Sequence, residues 1–144
     1  MKRAREHTAS AAVLATGAEL SRRGYDVTFT LGNTARIDML CAVPGGKPFK
    51  VQVKGISTPN GFYIDSSFFE VIQPDLFLVV VIVPPDEDLA MRFFVLSHFD
   101  AVEQFKQMPT HKRDGRPYLT GSGLNWGSVK GYENRWDKFP LLKS

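Results

Sequence analysis

Thiols are almost absent from this chain. Cys41 is the single cysteine among 144 residues, so no intramolecular disulfide can form and no cysteine-rich zinc module can be built. A lone thiol in an apolar stretch fits a reducing compartment. Histidine is scarce too: His7, His98 and His111 are too scattered to suggest a metal cluster, and each is expected at the surface or at a helix cap. Long apolar runs are missing. The longest, 76–83, is far short of the roughly 20 residues that cross a bilayer. The opening MKRAREHTAS leads only into a short Ala-rich run broken by Thr16, Gly17 and Glu19, which is no signal-peptide core. A soluble cytoplasmic protein without membrane contact is therefore expected. No internal repeat or low-complexity segment occurs. Excess charge of one sign is small, with 18 Lys and Arg against 15 Asp and Glu, a weak pull toward an anionic partner.

What is present is ordinary for a globular domain: 43% hydrophobic and 23% charged residues. A chain of this length buries roughly two-thirds of its unfolded surface. One domain over 1–144 is expected, with 109–144 forming a loop and an aromatic C-terminal tail packed on it. Residues 8–23 read as a helix, with Thr8 or Ser10 as its cap, Val13, Leu14, Gly17 and Leu20 on one face, and Gly24 closing it. Strands follow at 25–31, 36–43 and 49–54, the last two joined as a hairpin by Pro44-Gly45-Gly46, and a short one at 61–64. The run at 76–83 reads as a strand buried on both faces in the sheet centre, with 91–96 as its antiparallel neighbour. Ser97 is placed to cap a helix running to about 108. A long loop over 109–127 and a helical turn or two over 129–138 complete the chain. The order predicts an α/β fold, a central mixed β-sheet flanked by helices.

Asp38 is out of place for its surroundings. It lies between Ile37 and Met39 in an apolar strand, and burying an unpartnered carboxylate is costly. In the next strand, Phe49-Lys50-Val51-Gln52-Val53-Lys54-Gly55, side chains alternate. Lys50, Gln52 and Lys54 share one face, and Phe49, Val51 and Val53 take the core-facing one. The hairpin brings Asp38 across from the polar face. An acid, an amide oxygen and a lysine then converge, which suits phosphodiester hydrolysis. Mg²⁺ (or Mn²⁺) takes hard oxygen ligands. Asp38 would supply a carboxylate, and the Gln52 side chain and Val53 main chain would supply neutral oxygens. Lys54 would orient an attacking water or offset developing charge. A plain structural reading stands beside this one, with Lys54 as the ion-pair partner of Asp38.

Other residues carry less. Cys41 reads as a buried inert thiol, and Ser66-Ser67 as a helix start. Trp126 and Trp136 are expected to pack the tail onto the sheet. Arg36, with Lys112, Arg113 and Arg116 in the loop near Tyr118, are the candidate nucleic-acid contacts, through phosphate pairing and stacking. Phe68-Phe69 with Val71 and Ile72 offer an apolar surface for a homodimer.

At these residues the sequence resembles the PD-(D/E)XK nuclease superfamily, in the restriction-endonuclease-like branch related to Holliday-junction resolvases. The resemblance runs through 18–27, Gly32-Asn33, Ile37-Asp38-Met39-Leu40 and Val51-Gln52-Val53-Lys54-Gly55, and returns in Tyr132-Glu133-Asn134-Arg135-Trp136-Asp137. It implies a restriction-endonuclease-like fold, DNA as the polymer, Asp38 as the metal-binding acid, Gln52 at the Asp or Glu position and Lys54 as the motif lysine. It also implies a dimer, since two sites are needed to cut two strands. Glutamine removes one negative charge from the metal site. The glutamate that related proteins carry on the first helix is absent, the region reading Ala12-Val13-Leu14. The expectation is thus a metal-dependent DNA endonuclease, the alternative a catalytically inactive nucleic-acid-binding or protein-interaction module on the same fold.

Overall fold

A computed structural model describes residues 3–30, 37–108, 112–113, 116–117 and 122–142. The first helix, α1 (Arg5–Arg22), has no side-chain cap at Ala4. Arg3 anchors it instead: its guanidinium donates to Thr8 Oγ1 at 2.9 Å and to the carbonyls of Val83 and Pro84 at 2.6 and 3.1 Å. The helix starts earlier than the Thr8 or Ser10 cap predicts, because this anchor replaces one. It ends on Gly24 at φ +101°, where the Gly24 and Tyr25 amides close back onto the carbonyls of Ser21 and Leu20. Glycine suits the left-handed backbone this closure needs.

Five strands build the main sheet: β1 (Asp26–Phe29), β2 (Met39–Ala42), β3 (Pro48–Ile56), β5 (Leu76–Ile82) and β6 (Arg92–Ser97), in the order β1-β2-β3-β5-β6. Between β3 and β5 lie β4 (Phe62–Tyr63) and a 3₁₀ turn, Ser66–Phe69. The β3–β5 pair is parallel and its neighbours antiparallel, so the sheet is mixed, as predicted. Every residue of β5 is buried, although it sits one place off the sheet's middle. Helix α2 (His98–Gln107) begins with a capping box in which Ser97 and Asp100 satisfy each other's backbone amides. Then come the hairpin β7 (Lys112–Arg113) and β8 (Arg116–Pro117), and β9 (Gly123–Leu124), which pairs with β4. Short strands therefore occupy part of the expected loop at 109–127. The tail is a chain of short turns, α3 (Trp126–Val129) and two 3₁₀ pieces, Lys130–Tyr132 and Trp136–Lys138, in keeping with the helical turn or two expected over 129–138.

Alternation along β5 divides the core. Phe77, Val79 and Val81 face α1, with Leu20, Met39, Val51 and Phe139; Leu78, Val80 and Ile82 face α2, with Phe68, Phe69, Phe94 and Leu96. Helix α1 shows the sheet Thr8, Ala12, Thr16, Gly17 and Leu20, while Leu14 is exposed. Small residues win that face because β3 approaches closely: a Cβ on Gly55 would lie 2.9 Å from both Ala12 Cβ and the Thr8 carbonyl. Trp136 packs on Phe93 and Phe139, and Trp126 on Phe94, as expected of the tail. Phe68 and Phe69 are core residues of the α2 side, so they are withdrawn from the homodimer surface expected of them; Val71 and Ile72 remain exposed. No helix among the described residues is long and apolar enough to cross a membrane.

Candidate functional site

The β2–β3 register pairs Met39 with Val51 and Leu40 with Lys50. Asp38 precedes Met39 in the chain and lies just outside that register. Regular pairing stops there. The Asp38 amide donates to the Val51 carbonyl at 2.9 Å, and its carbonyl accepts from the Thr30 amide at 3.1 Å. The Val53 amide finds no strand carbonyl and donates to Asp38 Oδ2 at 2.7 Å. A carboxylate thus stands in for a ladder acceptor, which fixes its orientation. Burial pushes its pKa above the ordinary range, and the Val53 N–H only partly offsets this.

Gln52 and Lys54 lie on the same face, because Val51 and Val53 pack toward α1 and side chains alternate. Gln52 is half-buried, and its Oε1 is buried without a hydrogen-bond partner among the described residues. Such an oxygen is costly unless something positive or a water meets it. No ion pair joins Lys54 to Asp38 among the described residues. The structural ion-pair reading is thereby corrected: Asp38 is held by an amide, and Lys54 is left for another task. The extended Val53 turns its carbonyl to the same side as its N–H, toward β2 and Asp38. The structure ties Asp38 to Val53, which lies between Gln52 and Lys54 on β3; the oxygens of Asp38, Gln52 and the Val53 main chain are hard ones.

Beside Gln52 the 3₁₀ turn and the segment before β5 enclose a cavity of about 160 Å³, lined by Lys50, Gln52, Ser67, Phe68 and Gln73 among others. Lys50 Nζ is hydrogen-bonded to Gln73 Oε1 and lies 3.6 Å from Asp75. His98 ties the two walls together. Its Nδ1 accepts from the Gln73 amide at 2.8 Å, and its Nε2 reaches the Phe68 carbonyl. The expectation of a surface or capping histidine is corrected, since His98 is 1% exposed, neutral, and lowered in pKa by burial. Sequence reasoning placed Lys50 on the correct face but gave it no role, and it had no signal for Ser67, Gln73 or His98 as neighbours.

Arg36 lies outside the described residues, as do Gly32-Asn33, His111 and Tyr118. The backbone of Lys112, Arg113 and Arg116 forms the β7–β8 hairpin, apart from the five-stranded sheet; their side chains lie outside the described set. Cys41 is buried, and burial pushes its thiol up to about 12, which keeps it protonated and inert. On the first helix Ala12 is pressed toward Gly55, on the face of β3 opposite Gln52.

No family model matches the chain, and no curated protein sequence does. Among solved structures it is similar to a bacterial homing endonuclease, I-Ssp6803I, with a TM-score of 0.55 at 21% identity, over 94% of this chain and 91% of that one. At that identity the likeness is one of fold, the mixed sheet between helices.

Proposed function

We propose that this protein is a metal-dependent DNA endonuclease of the PD-(D/E)XK kind. The reading rests on one observation above all. The Asp38 carboxylate is tied to the Val53 amide. Val53 is flanked by Gln52, whose buried oxygen has no hydrogen-bond partner among the described residues, and by Lys54, which forms no ion pair among them. The similarity in fold to a homing endonuclease supports DNA as the substrate. Asp38, Gln52 Oε1 and the Val53 carbonyl are the oxygens that would hold Mg²⁺ or Mn²⁺. When bound, the metal supplies Lewis-acid polarisation of the phosphate and a more acidic water. Asp38 holds its carboxylate ready through the Val53 amide, and Gln52 adds a neutral donor without a second charge. Lys54 orients the water and offsets charge on the phosphate oxygens. A second copy of the chain would let both strands be cut.

Calorimetric titration of Mn²⁺ and Mg²⁺ into wild type and Asp38→Asn, paired with cleavage of duplex DNA, tests this. Wild type should bind and cut, and Asp38→Asn should do neither. Lys54→Met should bind metal yet cut about 10²–10⁴-fold more slowly. Asp38→Asn should remain folded and no less stable at pH 7. The native pKa is raised, so ionised Asp38 costs folding free energy above its unfolded value of 3.8, and asparagine can still accept from Val53. Cleavage that survives in Asp38→Asn would sink the assignment.

A second reading, DNA binding without cleavage, is favoured by the shortage of acids. No group of three or more His, Cys, Asp or Glu gathers around a possible ion among the described residues. A folded wild type that binds DNA but takes up no metal even on DNA would establish that reading.

A further inference from the structure

The cavity beside Gln52 has a cation in its wall that the hydrolysis reading leaves unused. We propose that Lys50, with Ser67 and Gln73, forms a second phosphate subsite. It would hold the phosphodiester next to the one at Asp38 and Gln52, so that a DNA strand lies along the polar face of β3. The inference rests on the nuclease reading of that face and assigns it a substrate path. Lys50 and Gln52 are two residues apart on one strand, about 6.6 Å along its axis, close to the step between successive phosphates of one DNA strand. The cavity of about 160 Å³ has room for several water-sized groups, and so for the oxygens of a phosphate.

Lys50 is positioned without being used up. An ammonium has three donors, and Gln73 Oε1 takes one. Asp75 is 3.6 Å away with its side chain 54% exposed, so that pairing is screened and easily exchanged for a phosphate. The walls are fixed in advance, because the single buried imidazole of His98 holds both the Gln73 amide and the Phe68 carbonyl. A site that needs no rearrangement loses less on binding. Charge-assisted contact to a phosphate oxygen is what a lysine so placed provides.

The test is the salt dependence of binding to a short DNA duplex in EDTA, where nothing is cut. Lys50→Gln should lower the slope of log K against log salt by about one, the signature of one lost phosphate contact, and weaken binding equally on unrelated sequences. Lys50→Arg should restore the slope. Asp75→Asn, at an exposed residue, should tighten binding in the Lys50 background and much less beside Lys50→Gln. An unchanged slope in folded Lys50→Gln would make Lys50 a purely structural tie and leave the metal site standing. If Lys50→Gln fails to fold, an Asp75→Asn protein that binds no tighter overturns the inference. Wild type that binds no DNA at any salt overturns the inference and the nuclease reading together, whereas loss of metal uptake alone touches only the latter.

Discussion

A buried imidazole decides the shape of the wall beside Gln52. His98 bonds Gln73 and Phe68 through opposite nitrogens, which requires the neutral ring with its proton on Nε2. Burial lowers its pKa below the ordinary imidazole value of 6.5. Below that pH the unfolded chain takes up a proton that the native ring resists, so stability should be level above 6.5 and fall as the pH drops toward the native value. The slope from one such group is at most about 1.4 kcal/mol per pH unit. Urea melts at a series of pH values read it out, and His98→Gln should flatten that part of the curve. Residues of the site divide by how they could be read. That Gln52 and Lys54 share a face of β3 was legible, because side chains alternate with period two along a strand. His98 was not, because its partners lie 25 and 30 residues away in sequence. Nor was the tie between Asp38 and Val53, since sequence offered the lysine as the obvious counter-charge and says nothing about where a ladder breaks.

Elements were legible where the local signal and the packing agree. The apolar run of β5 and the Ser97 capping box are of this kind. On α1, Gly17 and Leu20 are buried as expected, but Leu14 was misplaced: hydrophobicity points to it, whereas the close approach of β3 selects a small side chain at Ala12. Two glycines separate these effects. Gly55→Ala would push a methyl to 2.9 Å from the Thr8 carbonyl and Ala12 Cβ. Both belong to a helix that cannot yield locally, so a loss of about 1–3 kcal/mol is expected in chemical denaturation. Gly17→Ala meets only the tip of Phe29, a ring 41% exposed that can swing away. Alanine also gains up to about 1 kcal/mol in helix propensity. Its denaturation midpoint should be unchanged or higher.

On the scale of the whole molecule, the C-terminal tail closes over the end of α1 and onto α2. Arg23 stacks over Trp136, the Tyr25 hydroxyl donates to the Pro140 carbonyl at 2.6 Å, and Lys138 pairs with Asp100 at 3.1 Å. Phe139, 2% exposed, fills the space between Tyr25, Phe49 and Phe77. The aromatic tail was legible as packing; the face it closes was not, because only the three-dimensional course of the sheet leaves that gap. Phe139→Ala should cost about 3–5 kcal/mol, read by thermal melts, and a chain cut after residue 130 should bind a hydrophobic dye at neutral pH. The same closure sets the order of events during synthesis. Helix α1 has its strand partners once β5 is made, yet its side of the core stays open until Phe139 has cleared the exit tunnel. A nascent chain paused shortly before that point would present an apolar cleft to whatever chaperone waits there.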